Sequence, residues 1–298
     1  MANLRRLVQR RKAVRNIRKI TRTMELIATA KFKKTLDRAT EAEAYTRKIS
    51  EIAADLTSAG GEAEHPLLAI RTNVKRVLLL VIGSNRGLAG GYNGGILRKA
   101  HERLREMQAA GIAFDVEVAG KKPISYLRYQ RVPRQAEYTQ FDDKVAFEQV
   151  DAVANKYIEA YVTERVDQVQ VAYMKFLNTA RQTPVVETLL PLASVVPGEP
   201  KKPKPGAAPG QARVDYEFIP NATEILEGIV PVAFKQRLFK CFLDAAVSEQ
   251  IARRLAMKAA TENAGDLIKS LSQQYNRARQ AKITKEISEL IGGAEALK

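Results

Sequence analysis

Residues 1–59 contain neither proline nor glycine. Within them Ile17, Ile20, Met24 and Ile27 recur at steps of 3, 4 and 3, the repeat of a heptad seam. Leu4, Leu7 and Val14 lie upstream on a less regular stripe, and Gly60, Gly61 and Pro66 end the segment. The pattern predicts a helix over 1–60. At ~1.5 Å per residue such a helix is about 80 Å long, more than the width of a small domain, so it needs a long partner. The other end of the chain supplies one. Between Pro231 and Gly292 there is no further proline, and Gly265 is the sole glycine. Phe234, Leu238 and Phe242, then Ile251 and Leu255, then Leu267, Leu271 and Tyr275 fall in blocks of helical spacing. Ala252, Ala256, Ala259 and Ala260 leave room for close approach, and Pro231 suits a first helical turn. A second helix is predicted over 231–292, antiparallel to the first in a coiled coil.

The middle of the chain has a different period. Val77–Ile82 reads as a buried strand, 93–110 as a helix capped by Asn93, and Phe114–Val118 as an alternating strand. Residues 144–162 read as a helix carrying Phe147, Val150, Val153, Tyr157 and Tyr161 on one side. Val169–Tyr173 and Val185–Leu190 read as further strands. Strand alternating with helix predicts a small, partly parallel α/β domain over 74–194, inserted between the long helices. Residues 195–213 hold five of the twelve prolines, which excludes a helix or a central strand. A solvated loop is expected over 195–220, with Lys201, Lys202 and Lys204 exposed.

Composition adds one feature that periodicity does not show. The net charge is +16, and the ends carry all of it. Residues 1–34 hold twelve Lys/Arg against Glu25 alone, residues 235–298 hold twelve against seven acids, and residues 35–234 hold 25 of each. Basic ends favour an acidic partner or a polyanion. A nucleic acid is the alternative, but no DNA-reading module accompanies the charge. The first 24 residues, with nine Lys/Arg and no acid, have the composition of a mitochondrial presequence. The helical pattern runs past residue 50 and no serine precedes Ser50, so the segment reads as mature protein. Cys241 is the single cysteine, which excludes an intrachain disulfide. No apolar run approaches the roughly 20 residues that span a bilayer.

The loop after the first strand, "GSNRGLAGGYN" (Gly83–Asn93), invites a phosphate-binding reading. A Walker loop needs Gly-Lys-Ser/Thr at its end, and a dinucleotide fingerprint needs Gly-x-Gly-x-x-Gly directly after the strand. Here Arg86 precedes the glycines, no lysine or hydroxyl follows, and the next glycine after Gly83 comes four residues on. A tight structural turn is the better expectation. His65, His101 and Cys241 make no metal-ligand spacing, and His101 is expected on a helix surface. No serine stands in a nucleophile elbow, and Asp142-Asp143 reads as a loop or helix start. No catalytic, cofactor or metal residue is assigned.

Three stretches together are more specific: "RRKAVRNIRKITRTMELIATAKFKK" (Arg10–Lys34), the loop Gly83–Asn93, and "AMKAATENAGDLIKSLSQQYNRARQAKITKEISELIGGAEAL" (Ala256–Leu297). In this order they closely resemble the γ subunits of F-type ATP synthases, the central rotor shafts, over nearly the whole chain. The resemblance implies a long antiparallel coiled coil of the terminal helices with an inserted small Rossmann-like α/β domain. Asn85 stands where the family usually has an acid, and Ala89 where it often has a cysteine. The 195–213 loop is longer than usual.

By that resemblance the chain is a non-catalytic subunit. It couples rotation of a membrane c-ring to conformational cycling of an α3β3 ring that itself binds ATP, ADP, phosphate and Mg. Its implied partners are the α and β subunits, the ε subunit and the c-ring, with no nucleic acid, and it meets the membrane only through the complex. Met24 matches a shaft methionine near the β ring, where an added charge is expected to impair coupling. Arg279 and Gln280 match the pair that contacts a β loop, and Thr284, Glu286 and Glu289 lie in the stretch that supports that junction. Ile287, Leu290, Ile291 and Leu297 match an apolar upper bearing. Arg10, Arg11 and Lys12 are expected on a basic face that meets an acidic β lever. No chloroplast-type dithiol pair is visible, and the cytoplasmic face of a bacterial inner membrane is the expected location.

Overall fold

The computed structural model describes residues 2–59, 65–142, 145–192 and 222–295. The expected loop at 195–213, Asp143 and Leu297 lie outside them. The elements run α1 (Ala2–Ala59), β1 (Arg76–Ile82), α2 (Tyr92–Ala109), β2 (Ala113–Ala119), α3 (Lys121–Tyr129), β3 (Ala136–Tyr138), α4 (Phe147–Val162), β4 (Gln168–Phe176), β5 (Gln182–Leu190) and α5 (Ala222–Glu295). The chain divides into two units, Met1–Ala30 with Ala252–Lys298, and Lys31–Ile251.

In the Lys31–Ile251 unit the five strands are ordered β3-β2-β1-β4-β5. β1 pairs in parallel with β2 and β4, and β2 in parallel with β3, while β5 returns antiparallel to β4. Val77–Ile82 of β1 are all buried, as an unbroken apolar run in the middle of a parallel sheet requires. The core joins Leu78, Leu80 and Ile82 to Val150, Tyr157 and Tyr161 of α4 and to Phe234, Leu238 and Phe242 of α5. α2 packs on the sheet through Ile96, Ala100, Leu104 and Met107.

Three expectations are corrected here. α5 begins nine residues before Pro231, which lies inside the helix instead of in its first turn. The lost donor and the ring clash are tolerated because Val230 and Phe234, on either side, anchor the helix in the core. α2 is capped by Gly91, with no side-chain cap bond. Asn93 is the second residue of the helix, and its amide binds Ser84 instead. α3 and β3 were not expected: nine and three residues are too short to show a period.

The other unit pairs the first half of α1 with the last part of α5. Leu4, Leu7, Arg11, Val14, Thr21, Glu25 and Ala28 are the less exposed positions of α1, at heptad steps. On α5 they are Met257, Thr261, Ala264, Ile268, Leu271, Tyr275 and Ala278. Thr261 Oγ1 donates to Thr21 Oγ1 across the pair (2.8 Å), and Gly265 lies beside the Arg18 guanidinium. The expected seam is therefore overturned. Ile17, Ile20, Met24 and Ile27 are 51, 56, 36 and 50 % exposed, on a second stripe of the same period. Leu255 and Leu267 are exposed too. Hydrophobic spacing reported the repeat; on the inside face Leu4, Leu7, Val14, Met257, Ile268 and Leu271 alternate with small and hydroxyl-bearing side chains, which let two backbones approach.

Candidate partner-binding surface

The stripe Ile17–Ile20–Met24–Ile27 lies on a helix whose charge is almost wholly basic. Arg10 and Lys12 are exposed there. Arg11 is not: its guanidinium carbon lies 5.0 Å from the centre of the Tyr275 ring, a cation–π contact that ties α1 to α5 and takes Arg11 off the expected basic face. Arg22 is bound by both oxygens of Glu25 (2.9 Å each). What α1 presents outward is an apolar stripe with a basic rim.

Towards the end of α5, Arg279, Gln280, Thr284, Glu286 and Glu289 are all exposed. Arg279 and Glu286 share a groove of about 500 Å³ with Leu4 and Val8 of α1 and Tyr275 and Ile283 of α5. Gln280, Thr284, Glu289 and Met24 do not line it. Glu286 and Glu289 each meet a lysine one turn back, Lys282 at 3.2 Å and Lys285 at 3.5 Å. Ile287, Leu290 and Ile291 are 51, 74 and 60 % exposed, an apolar end without cover among the described residues.

The glycine-rich loop spends its polar groups on its own unit. Ser84 N donates to Asn93 Oδ1 (3.0 Å), Asn93 Nδ2 to Ser84 Oγ (2.7 Å), and Ser84 Oγ to the Arg86 carbonyl (2.7 Å). Asn85 Nδ2 donates to the Phe141 carbonyl (2.7 Å), and Lys121 N to Asn85 Oδ1 (3.0 Å). In a sheet of this topology the ligand crevice lies beyond the carboxyl end of β1. Here Phe242 and Ala245 of α5 fill it, and Tyr92 Oη donates to the Ala245 carbonyl (3.0 Å). The space left is about 30 Å³, room for a water or two and about a tenth of the smallest usual ligand pocket. This is the geometry of a tight structural turn.

His101 is half-buried rather than on the surface, and its Nδ1 is buried without a hydrogen bond. His65 Nδ1 accepts from Leu67 N (3.1 Å), and burial lowers its pKa against the opposing pull of Glu227. Among the described residues no group of three His, Cys, Asp or Glu side chains is placed to hold a metal.

The sequence reading missed two polar clusters in the Lys31–Ile251 unit. Glu117 of β2 is fully buried and accepts from Tyr138 Oη (2.7 Å), Tyr157 Oη (2.8 Å) and Lys156 Nζ. Glu187 of β5 accepts from Tyr173 Oη (2.5 Å) and Lys175 Nζ (3.2 Å), with Arg237 at 3.7 Å. Burial opposes ionisation of Glu187, but Tyr173, Lys175 and Arg237 outweigh it and hold its pKa low. Nearby, Lys240 meets Asp244 at 3.1 Å and Glu43 of α1 at 3.9 Å. Burial pushes Asp244 up to about 6 and the Cys241 thiol up to about 12. The available signal was Arg237, Lys240 and Asp244, charges interleaved with Leu238, Phe239, Phe242 and Leu243 on one helical segment.

A sequence model of the ATP synthase family matches residues 3–297. The chain is 49 % identical over 297 residues to the "ATP synthase gamma chain" of Rhodopirellula baltica, covering 100 % of this chain and 99 % of that one. It is 39 % identical over 297 residues to the protein of the same name from Leptospira biflexa, covering 100 % of each. Among solved structures it is similar to a chain of the Euglena gracilis mitochondrial ATP synthase OSCP/F1/c-ring assembly. That match has TM-score 0.64 at 16 % identity, over 99 % of this chain and 95 % of that one. It is also similar to a chain of the Tetrahymena thermophila mitochondrial ATP synthase central stalk and c-ring, with TM-score 0.57 at 21 % identity, over 81 % of this chain and 99 % of that one.

Proposed function

The chain belongs to the ATP synthase gamma chain family, and on that premise we propose that its outward apolar stripe and basic rim are the surface through which this rotor subunit of an F-type ATP synthase drives its catalytic ring. The carrying observation is the exposure of Ile17, Ile20, Met24 and Ile27 on a helix with a large basic surplus. A free surface has no use for such a stripe, whereas a ring of α and β subunits closed around it buries the apolar side chains and complements the charge.

The helical pair is asymmetric. One direction shows branched aliphatics bordered by Arg10, another Lys12, another the groove holding Arg279 and Glu286. Each of three β subunits then meets a different face, and each face favours a different β conformation and nucleotide affinity. That differential contact is what allosteric coupling requires. Rotation presents the faces in turn. Arg279 and Gln280 engage a β loop, Thr284, Glu286 and Glu289 support that junction, and Ile287, Leu290, Ile291 and Leu297 turn in an apolar bearing. The α/β unit and the adjoining helices meet the ε subunit and the c-ring.

The chain itself is non-catalytic in this reading, with ATP, ADP, phosphate and Mg held by the partner subunits. The filled crevice beside Gly83 supports that assignment. No helix among the described residues is long and apolar enough to cross a membrane, and the chain is a peripheral component of a membrane complex. We place it on the cytoplasmic side of a bacterial inner membrane, a reading supported by the single buried cysteine, which leaves no dithiol pair.

The test is reconstitution with α and β subunits, and with the membrane sector for proton-linked ATPase. The chain is expected to co-purify with the ring. Replacing Arg10 and Lys12 together with Ala should leave assembly intact at low salt and weaken coupling progressively as salt screens the remaining charges. A chain that fails to bind an α/β ring sinks the proposal. A double variant that couples normally at every salt concentration removes the basic rim from it.

A further inference from the structure

We propose that the cavity where α1, β4, β5 and α5 of the Lys31–Ile251 unit meet is a binding site for a compact dianionic oxyanion of the phosphate class, free or as the head of a small monoester. The cavity is about 290 Å³. Arg47, Lys175, Arg237 and Lys240 face it with Glu43 and Glu187, while Tyr173, Leu189 and Cys241 form its buried floor. The volume is at the lower edge of the usual range for small-ligand pockets, which suits a phosphate group with little attached.

The cations are short of carboxylate. Lys175 and Arg237 share Glu187, at 3.2 and 3.7 Å, and Glu187 also accepts a hydrogen bond from the Tyr173 hydroxyl. Arg237 is the less well served: its side chain is only 16 % exposed, its one ion-pair contact among the described residues is long, and burial depresses its pKa despite the nearby negative groups. Lys240 divides itself between Asp244 and Glu43. Arg47 opens on the cavity rim from α1. A dianion seated among Arg47, Arg237 and Lys240 gives each a close acceptor where solvent access is restricted, and such charge-assisted bonds are the strong ones. Nothing in this site depends on the catalytic partners or on rotation, so it stands or falls separately from the assembly reading.

Calorimetric titration of the full chain without partners, at constant ionic strength, tests it. Inorganic phosphate and glycerol 3-phosphate are compared with chloride. Saturable binding of both ligands supports the group; a stronger response to glycerol 3-phosphate assigns a monoester, and an equal one assigns the oxyanion alone. Arg237→Gln is expected to weaken binding by about tenfold or more, the usual value of one charged hydrogen bond. Because Arg237 is largely buried, two exposed rim variants guard against loss of fold. Arg47→Gln should weaken binding and Glu43→Gln should tighten it, each by roughly threefold, as exposed charges do. The opposite signs exclude a generic salt effect. No saturable binding beyond chloride, or binding that Arg47→Gln and Glu43→Gln leave unmoved, overturns the assignment.

Discussion

In the Lys31–Ile251 unit the large apolar side chains of α5 go inward: Phe234, Leu238 and Phe242 are buried against the sheet. In the paired terminal helices large apolar side chains are divided between the two faces: Met257 and Leu271 are buried in the seam. Ile17, Ile20 and Ile27 face out, while Thr21, Ala28 and Ala264 sit in the seam. The first unit is stabilised by its own core. The second holds its helices together by a seam that mixes Leu4, Leu7, Met257 and Leu271 with small side chains, one hydroxyl pair and an Arg11–Tyr275 contact, and keeps a second apolar stripe for something else. The same helices contribute to both units, so the difference lies in side-chain phase and not in helix propensity.

One substitution made once in each unit breaks this comparison most severely. Gly120 has φ +106°, and a Cβ there would lie 2.3 Å from the Gly83 carbonyl oxygen. Gly120→Ala combines a forbidden backbone region with a clash against backbone, and should cost at least about 4 kcal/mol, enough to disrupt the junction of β1, β2 and α3. Gly265, in the helical pair, is a helix-interior glycine whose added methyl would meet only Arg18 atoms at 3.9 Å. Gly265→Ala should stabilise by about 0.5–1 kcal/mol. Urea unfolding of both variants reads the two signs. A large loss at Gly265 would mean that the seam is packed as tightly as the core.

Next in size is Glu117. Its carboxylate satisfies two tyrosine hydroxyls and Lys156 in a fully buried position. Glu117→Gln keeps the shape but turns one acceptor into a donor facing donors, and should cost about 3 kcal/mol. Thr261→Val in the helical pair removes a hydroxyl whose partner, Thr21, still binds the Arg18 carbonyl (3.1 Å). That variant should cost no more than about 1 kcal/mol. Equal losses at both sites would erase the distinction between a saturated core network and a loose seam.

How far this division was legible in the sequence varies by element. Both long helices were legible, because one long run lacks proline and glycine and the other has only Pro231 at its start and Gly265 within it, while apolar residues recur at helical spacing. Their phase was not. Ile17–Ile20–Met24–Ile27 and Thr21–Glu25–Ala28 share one period, and hydrophobicity pointed to the wrong stripe. β1, β2, β4 and β5 were legible from apolar runs, whereas α3 and β3 were too short. The positions Arg279, Gln280 and Thr284 came from family resemblance, since an exposed polar residue on a helix has no spacing signal of its own. The groove that joins Arg279 to Leu4 and Val8, and the cluster of Glu43, Glu187, Arg237 and Lys240, are assembled from distant parts of the chain, which no local pattern announces.

A pH series sharpens the account of that cluster. Asp244 is 3 % exposed on its side chain, and burial raises its pKa from 3.8 to about 6. Around it are Lys240 and Cys241 on α5, Glu43 on α1, and Tyr173 and Lys175 on β4. A raised carboxyl pKa means that the folded state holds the proton more tightly than the unfolded chain. Ionised Asp244 is therefore a net cost above pH 6, and the cost is relieved as pH falls from about 6 towards 4. Asp244→Asn should gain about 2–3 kcal/mol at pH 7.5, since each tenfold change in proton affinity is worth about 1.4 kcal/mol, and should gain nothing at pH 4. A gain independent of pH would show that packing, not ionisation, separates the two side chains.

The smallest expected effect on stability carries the most information about function. Ile17→Ser with Ile20→Ser removes two branched aliphatics that are already more than half exposed. In the isolated chain each change should be worth no more than about 0.5 kcal/mol, as for surface positions away from special features. The matching control is Val247→Ala, a fully buried residue of the core cluster with Leu243 and Ile251, expected to cost about 1–3 kcal/mol through lost burial and a cavity. Against the α/β ring the ranking should invert. The double serine variant loses the apolar surface that a surrounding sleeve would bury, at about 25 cal/mol per Å², and should assemble poorly or slip during turnover, while Val247→Ala assembles normally wherever it is folded. If the serine variant is as destabilised alone as Val247→Ala, the stripe belongs to the chain's own packing and the outward reading fails. If it is stable alone and also assembles and couples normally, the stripe is exposed but idle, and the drive surface must be sought around Arg279 and the apolar end at Leu290.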